Sequence, residues 1–292
     1  MTPKRALFLV NRKARNGGSD IQAIIDLLKE GGVELAMPEG FQPGEIADLI
    51  RDHRDKVDAV IVGGGDGSLN ASARGLLATG LPLGILPLGT ANDLARTLEL
   101  PKDPLAAAKL ILEGHTRQID LGSVNDHPFF NVASIGFSAH LARGLTSEAK
   151  KRWGVFGYAL GAMRILSQSR PFTATIEHDG KIEPIRTIQV SVGNGRYYGG
   201  GMTVEANAKP DDGRLDVYSL ELGHWSEILQ LLPRLRAGTH GEDKRVRAFD
   251  TTELTIQTRR RHEVNADGEL VTTTPARFTL LRRAVTVFAP AT

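Results

Sequence analysis

The chain has 292 residues, room for one large domain or two ordinary ones. It contains no cysteine, which excludes disulfides and thiolate metal sites and fits a reducing cytoplasm, and its net charge of +2 is too small to make nucleic acid the main partner. With 41% hydrophobic but only 5% aromatic residues, the core must be built from Leu, Ile, Val and Ala.

The apolar run Ala6-Leu7-Phe8-Leu9-Val10 predicts a first strand covered on both faces, and it lacks the small-residue cleavage site of a secretory signal. Ser19 or Asp20 can cap a helix in which Ile21, Ile24, Ile25 and Leu28 share one face and which Gly31-Gly32 ends. A strand over Val33 to Met37, a helix around Ile46, Leu49 and Ile50, and a strand over Ala59 to Val62 follow. Leu81 to Leu86 and Pro104 to Leu112 complete the series as strand and helix. Strand–helix alternation with short links predicts a parallel, doubly wound, Rossmann-like sheet over residues 1–120.

From residue 121 to 292 the texture is β-rich. Runs at Phe129 to Ala133, Thr173 to Glu177, Thr187 to Val192, Leu215 to Leu220, Leu254 to Thr258, Arg277 to Leu281 and Val285 to Phe288 are separated by Asp179-Gly180, Asp212-Gly213 and Asp267-Gly268 turns. This predicts an antiparallel β-sandwich domain. Helical segments are expected at Trp153 to Ser167 and Trp225 to Leu235; the stretch from Trp153 to Met163 is about half the length of a membrane span.

Two segments carry chemistry. In Gly63-Gly64-Gly65-Asp66-Gly67-Ser68-Leu69-Asn70, consecutive glycines let the backbone take positive φ and approach a ligand with no Cβ in the way, and successive N–H groups are expected to point into one concavity ahead of a helix, which makes an anion site. Ser68 stands where a dinucleotide fingerprint needs its third glycine, and no Lys-Ser/Thr follows as in a Walker loop. Pro87-Leu88-Gly89-Thr90-Ala91-Asn92-Asp93-Leu94-Ala95 repeats the strand–turn–helix context, and both loops are expected at the carboxyl edge of the sheet. Asn92 or Asp93 can alternatively be a plain helix N-cap. Later, Asp267-Gly268-Glu269 reads equally as a hairpin turn, and Lys209-Pro210-Asp211-Asp212-Gly213-Arg214 as another acidic turn.

These motifs, in this order across nearly the whole chain, resemble the diacylglycerol kinase catalytic family, especially the bacterial YegS-like lipid kinases. The resemblance rests on Gly64-Gly65-Asp66-Gly67-Ser68, on Pro87 to Ala95, and on Asn265-Ala266-Asp267-Gly268-Glu269. NAD kinases and phosphofructokinases share the first motif; the segment from Gly89 to Ala95 narrows the choice. The family implies an NAD-kinase-like fold and a cytoplasmic enzyme, peripheral to the membrane, that phosphorylates a lipid alcohol such as diacylglycerol or phosphatidylglycerol.

The family also implies that Gly64, Gly65, Asp66, Gly67, Ser68, Leu69, Asn70, Ala71, Thr90, Asn92 and Asp93 hold ATP, with Asp66 beside the triphosphate and its Mg2+. Glu269 is then the proton acceptor, facing the nucleotide, and Asp267 positions the hydroxyl or a metal ion. Asp212, with the carbonyls of Lys209 and Arg214, would hold a structural Mg2+. Two positions depart from the family pattern: Asn11-Arg12 replaces Asn-Pro, and Ala71 replaces Glu. A NAD kinase and a catalytically silent nucleotide-binding regulator are the competing readings, and the resemblance admits a homodimer. Lys150-Lys151-Arg152-Trp153 and Arg259-Arg260-Arg261 are solvated faces or transient contacts with an anionic membrane surface.

Overall fold

The computed structural model describes residues 2–10, 21–137, 139, 170–194, 197–198, 202–203, 209–222, 227 and 243–291. Asn11-Arg12, Ser19, Asp20, the segment Lys150 to Trp153, Gly195, Gly199 to Gly201, the helix expected at Trp153 to Ser167 and all but Glu227 of that at Trp225 to Leu235 lie outside the described residues. The described residues divide into two compact units: those up to Leu121 together with those from Leu281 onward, and those from Gly122 to Leu280.

The first unit alternates β1 (Arg5–Val10), α1 (Ile21–Glu30), β2 (Glu34–Ala36), α2 (Ile46–Asp52), β3 (Ala59–Gly64), α3 (Asp66–Thr79), β4 (Leu83–Pro87), α4 (Asp93–Thr97) and α5 (Pro104–Glu113). The strands run parallel in the order β2-β1-β3-β4, with Leu7 opposite Val60 and Val62 opposite Ile85. Because helices cover the sheet, β3 and β4 are buried at every residue, which is why they read as unbroken apolar runs. Helix ends follow local chemistry. Asp103 accepts the N–H groups of Leu105 and Ala106, Pro104 opens α5, and Gly114 closes it at φ 74°.

The second unit holds β6 (His127–Phe129), β7 (Val132–Gly136), β8 (Phe172–His178), β9 (Lys181–Thr187), β10 (Gln189–Gly193), β11 (Tyr197–Tyr198), β12 (Met202–Thr203), β13 (Leu215–Leu220), β14 (Val246–Thr251), β15 (Glu253–Thr258), β16 (Glu263–Ala266) and β17 (Glu269–Thr273). Two strands span the division: β5 (Thr116–Val124) and β18 (Ala276–Phe288). One antiparallel sheet runs β14-β13-β10-β7-β16-β17, and a second set pairs β18, β15, β8 and β9. Ala133, Ile135, Val190, Val192 and Val217 of the first pack with Ile176, Leu254, Ile256 and Phe278 of the second in one buried core.

The expected parallel α/β unit followed by an antiparallel sandwich is the architecture found. Three boundaries differ. The run Phe129 to Ala133 breaks at Phe130-Asn131, where the main-chain N–H groups leave the ladder for Asp267. The run Thr187 to Val192 divides at Ile188 into β9 and β10. The two runs at the C-terminus are one strand, β18, bent at Arg283 (φ 48°), whose N–H donates to the buried Asp120 carboxylate at 2.6 Å.

Candidate active site

The two glycine-bearing loops of the first unit meet backbone to backbone. Both leave the carboxyl ends of adjacent parallel strands, β3 and β4, the edge at which such sheets bind ligands. The Gly64 carbonyl accepts the N–H groups of Leu88 (3.0 Å) and Gly89 (3.1 Å). A Cβ on Gly65 would stand 3.1 Å from the Gly89 Cα, and one on Gly89 would overlap the Gly65 Cα. A Cβ on Gly64 would collide with the Ser68 hydroxyl, and one on Gly63 would lie 2.7 Å from Val10 Cγ2. Of the two expected uses of these glycines, backbone brought close with no Cβ in the way is the one found, and the neighbour approached is the other loop. None of Gly63, Gly64, Gly65 or Gly67 is at positive φ, and Gly65 is extended at φ −101°. Glycine is required for close approach, not for a left-handed backbone.

Gly65 is the N-cap of α3 and has no side chain to cap that end, while the Asp66 carboxylate stands by its own N–H at the first helical position. The first turn of a helix carries N–H groups without intrahelical partners and the positive end of the helix dipole, so this end suits an anion. Within the predicted set, Leu69 turns its side chain into the core at 2% exposed, so only its main chain can face a ligand; its N–H donates to Gly65 O. Ser68, Asn70 and Ala71 are half-buried, and Gly67 and Thr90 are exposed.

Asp66 and Asn92 tie the second loop to the first. Asn92 adopts φ 51° and ψ 47°, a conformation Asn tolerates better than most residues. Its side chain does not cap α4. It closes the loop instead, with Oδ1 accepting Gly89 N–H (3.0 Å) and Nδ2 donating to Gly89 O (2.9 Å). The cap comes from the other loop: Asp66 Oδ1 accepts Leu94 N–H at 3.2 Å. Burial pushes the Asp66 carboxyl up from its ordinary value, opposed by the N–H groups of Leu94, Asp93, Asp66 itself and Asn92, which favour the charged form. Asp93 is buried at 4% exposed.

That shift has a testable sign. With its folded value above the ordinary 3.8, native Asp66 holds a proton more tightly than the unfolded chain. Its contribution to stability is greatest below the unfolded value and declines as pH rises through the folded one. Asp66→Asn, which keeps an oxygen for Leu94 N–H, is expected to melt no lower than wild type at about pH 7 and to flatten the acid side of the stability curve. Melting scans across pH check this; a lower melting temperature at neutral pH would show that the cap needs the charge.

Sequence reading missed the cavity beside these loops. It measures about 470 Å³ and is lined by Phe8, Val10, Ile25, Met37 and Phe41 among others. Val10, whose side chain touches Gly63, forms part of its wall. The only sequence signal was the apolar end of β1; the contribution of Met37 and Phe41 comes from how the link after β2 folds.

In the second unit, Asp267-Gly268 is a two-residue hairpin turn with both residues at positive φ (47° and 96°), and Ala266 pairs with Glu269 across it. Glu269 is exposed at the start of β17. The hairpin reading and the acidic motif are the same object. At the other acidic turn, Asp212 accepts the N–H groups of Lys209 (3.2 Å) and Arg214 (3.3 Å), and the Arg214 guanidinium stands 3.3 Å from its Oδ2. Lys209, Asp212 and Arg214 are thus together, in a turn closed by its own ion pair. Among the described residues no three His, Asp or Glu side chains gather as a metal cluster.

Comparison with known proteins follows this geometry. The sequence profile of the diacylglycerol kinase catalytic domain matches residues 5–124, and that of the YegS C-terminal NAD kinase beta sandwich-like domain matches residues 131–289. Diacylglycerol kinases of Staphylococcus aureus, strains bovine RF122 / ET3-1 and JH9, are each 29% identical over 238 residues, 81% of this chain and 76% of theirs. A crystal structure from Bacillus anthracis strain Sterne superposes with a TM-score of 0.86 at 28% identity, covering 99% of this chain and 96% of that one. Another, of a diacylglycerol kinase from the same strain, gives 0.79 at 25% identity, covering 99% and 98%. The chain belongs to the YegS-like lipid kinase family and is a kinase that phosphorylates an alcohol.

Proposed function

We propose that this kinase transfers the γ-phosphate of ATP to the hydroxyl of a lipid alcohol, with diacylglycerol as the first acceptor to test and phosphatidylglycerol the next. One observation supports the nucleotide most directly: two backbone-locked loops at the ends of β3 and β4, with the N-terminus of α3 opening on a glycine between them. Phosphates fit those N–H groups, with Gly64 to Ala71, Thr90, Asn92 and Asp93 around them. The adenine fits the cavity whose walls combine Phe8, Val10 and Phe41 with the polar Glu39 and Gln42, and whose wall adjoins Gly63.

The charge arrangement favours a divalent cation. Asp66 brings a partly buried carboxyl to where the phosphates would lie, and a cation between them favours its ionised form and offsets the repulsion. Mg2+, when bound, neutralises phosphate oxygens and takes hard oxygen ligands. Asp66 is the side chain we assign to meet it. A second Mg2+ at the Lys209–Arg214 turn would share Asp212 with the Arg214 guanidinium, so that turn suits it less well. Glu269 is assigned the proton of the attacking hydroxyl, which a carboxylate within hydrogen-bond reach can take.

Among the described residues no helix is long and apolar enough to cross a membrane. A lipid acceptor then implies transient contact with a membrane surface, to which the exposed Arg259, Arg260 and Arg261 would add about 1 kcal/mol each near anionic lipid. The test is transfer of radiolabel from ATP to a total lipid extract, run beside transfer to NAD. Label in one lipid class is expected; label in NAD alone would overturn the lipid reading.

A further inference from the structure

Asp267 occupies a concavity of main-chain N–H groups. Its Oδ2 accepts Phe130 N–H at 2.6 Å, and its Oδ1 accepts those of Asn131 (2.9 Å) and Val132 (3.1 Å). Its own N–H returns a bond to Val132 O at 2.9 Å. Three successive N–H groups converging on one carboxylate form an anion nest filled by the protein's own acid, with charge-assisted bonds. A carboxylate offers about four lone-pair positions, so these bonds use most of what Asp267 has to give.

The turn is also held from within and from its far side. The amide oxygen of Asn265, a buried residue, accepts Gly268 N–H at 3.1 Å. Buried Asn194 holds the other face of the 130–131 segment, with its N–H on Asn131 O (2.8 Å) and its Nδ2 on Phe130 O (3.0 Å). The end of β10, the start of β7 and the β16–β17 turn are therefore one hydrogen-bonded block. Glu269 is the first residue to leave it.

We infer that Asp267 is a positioning residue, which clamps the hairpin to residues 130–132 and so sets where the Glu269 carboxylate stands, rather than touching the metal or the acceptor. This rests on Glu269 being the proton acceptor. Asn at position 267 would turn an N–H toward one of the three donors, and Glu would push its carboxylate past them. A hairpin displaced by about 1 Å can lower turnover by about 100-fold with substrate binding intact.

Hydrogen exchange and kinetics of Asp267→Asn test the clamp. Residues 130–132 should exchange at least about tenfold faster than in wild type, with remote strands unchanged. Turnover should drop by about 10- to 100-fold while the KM for ATP and the Mg2+ concentration for half-maximal rate stay within about two-fold. A Mg2+ requirement raised about tenfold or more, with rate restored by added Mg2+, would make Asp267 a metal ligand and overturn the inference. Unchanged exchange at 130–132, or unchanged turnover, would do so too. If Asp267→Asn does not fold, Asn265→Ala, which releases only Gly268 N–H, should lower turnover at constant KM; wild-type turnover in it sinks the idea. The exchange measurement needs no activity, so a wild type that labels no lipid would remove the proposed reaction and leave the clamp to be judged on its amides.

Discussion

Glu269→Gln should reduce phosphate transfer by about 10²- to 10⁴-fold while the protein still binds ATP with wild-type affinity. The substitution keeps the size and shape of the side chain, removes its charge and its ability to take a proton, and replaces one acceptor oxygen by an N–H donor. Glu269 is exposed and follows a rigid two-residue turn, so the change should not disturb the fold. The pair of measurements matters. Lost transfer with retained ATP binding marks a base, whereas joint loss marks a structural defect. Transfer in Glu269→Gln within about tenfold of wild type would end its assignment as proton acceptor.

Gly89→Ala is expected to weaken nucleotide binding by at least about tenfold and to destabilise the first unit by about 1–3 kcal/mol. The added methyl would overlap the Gly65 Cα and sit 2.7 Å from Asn92 Oδ1. Both neighbours are held, one by the main chain and the other by its bonds to the Gly89 amide and carbonyl, so neither can move aside cheaply. The two loops would part, and the N–H groups around Asp66 would lose their common aim. Gly44→Ala, where a Cβ meets nothing within 4 Å, is the matched control and should bind nucleotide as wild type does. Equal nucleotide affinity in Gly89→Ala would show that the loop-to-loop contact is not what shapes the phosphate site.

The motifs were legible because their signals are local. Gly63 to Ser68 and Gly89 to Asp93 each follow an apolar strand and precede a helix, and Asp267-Gly268 is a two-residue hairpin signal on any reading. What each side chain does was less legible. Asn92 reads as a ligand-facing side chain or a cap and is found closing its own loop, while the cap on α4 comes from Asp66, 28 residues away. Asp267 reads as an acid for chemistry and is found gripping an amide 137 residues away in sequence.

The sequence by itself determined the two architectures, since unbroken apolar runs with helical links require a sheet covered on both faces, and short runs punctuated by Asp-Gly turns require hairpins. It also determined which residue types stand at the ends of β3 and β4. It took the folded molecule to show that Gly65 and Gly89 serve close approach and not positive φ, that the chain from Leu281 onward returns to the first unit, and that Asp66 and Asp267 bind main chain from distant segments. The physical reason is that a motif encodes the backbone it can adopt, whereas the partner of a buried carboxylate is whichever N–H group the rest of the chain brings within about 3 Å.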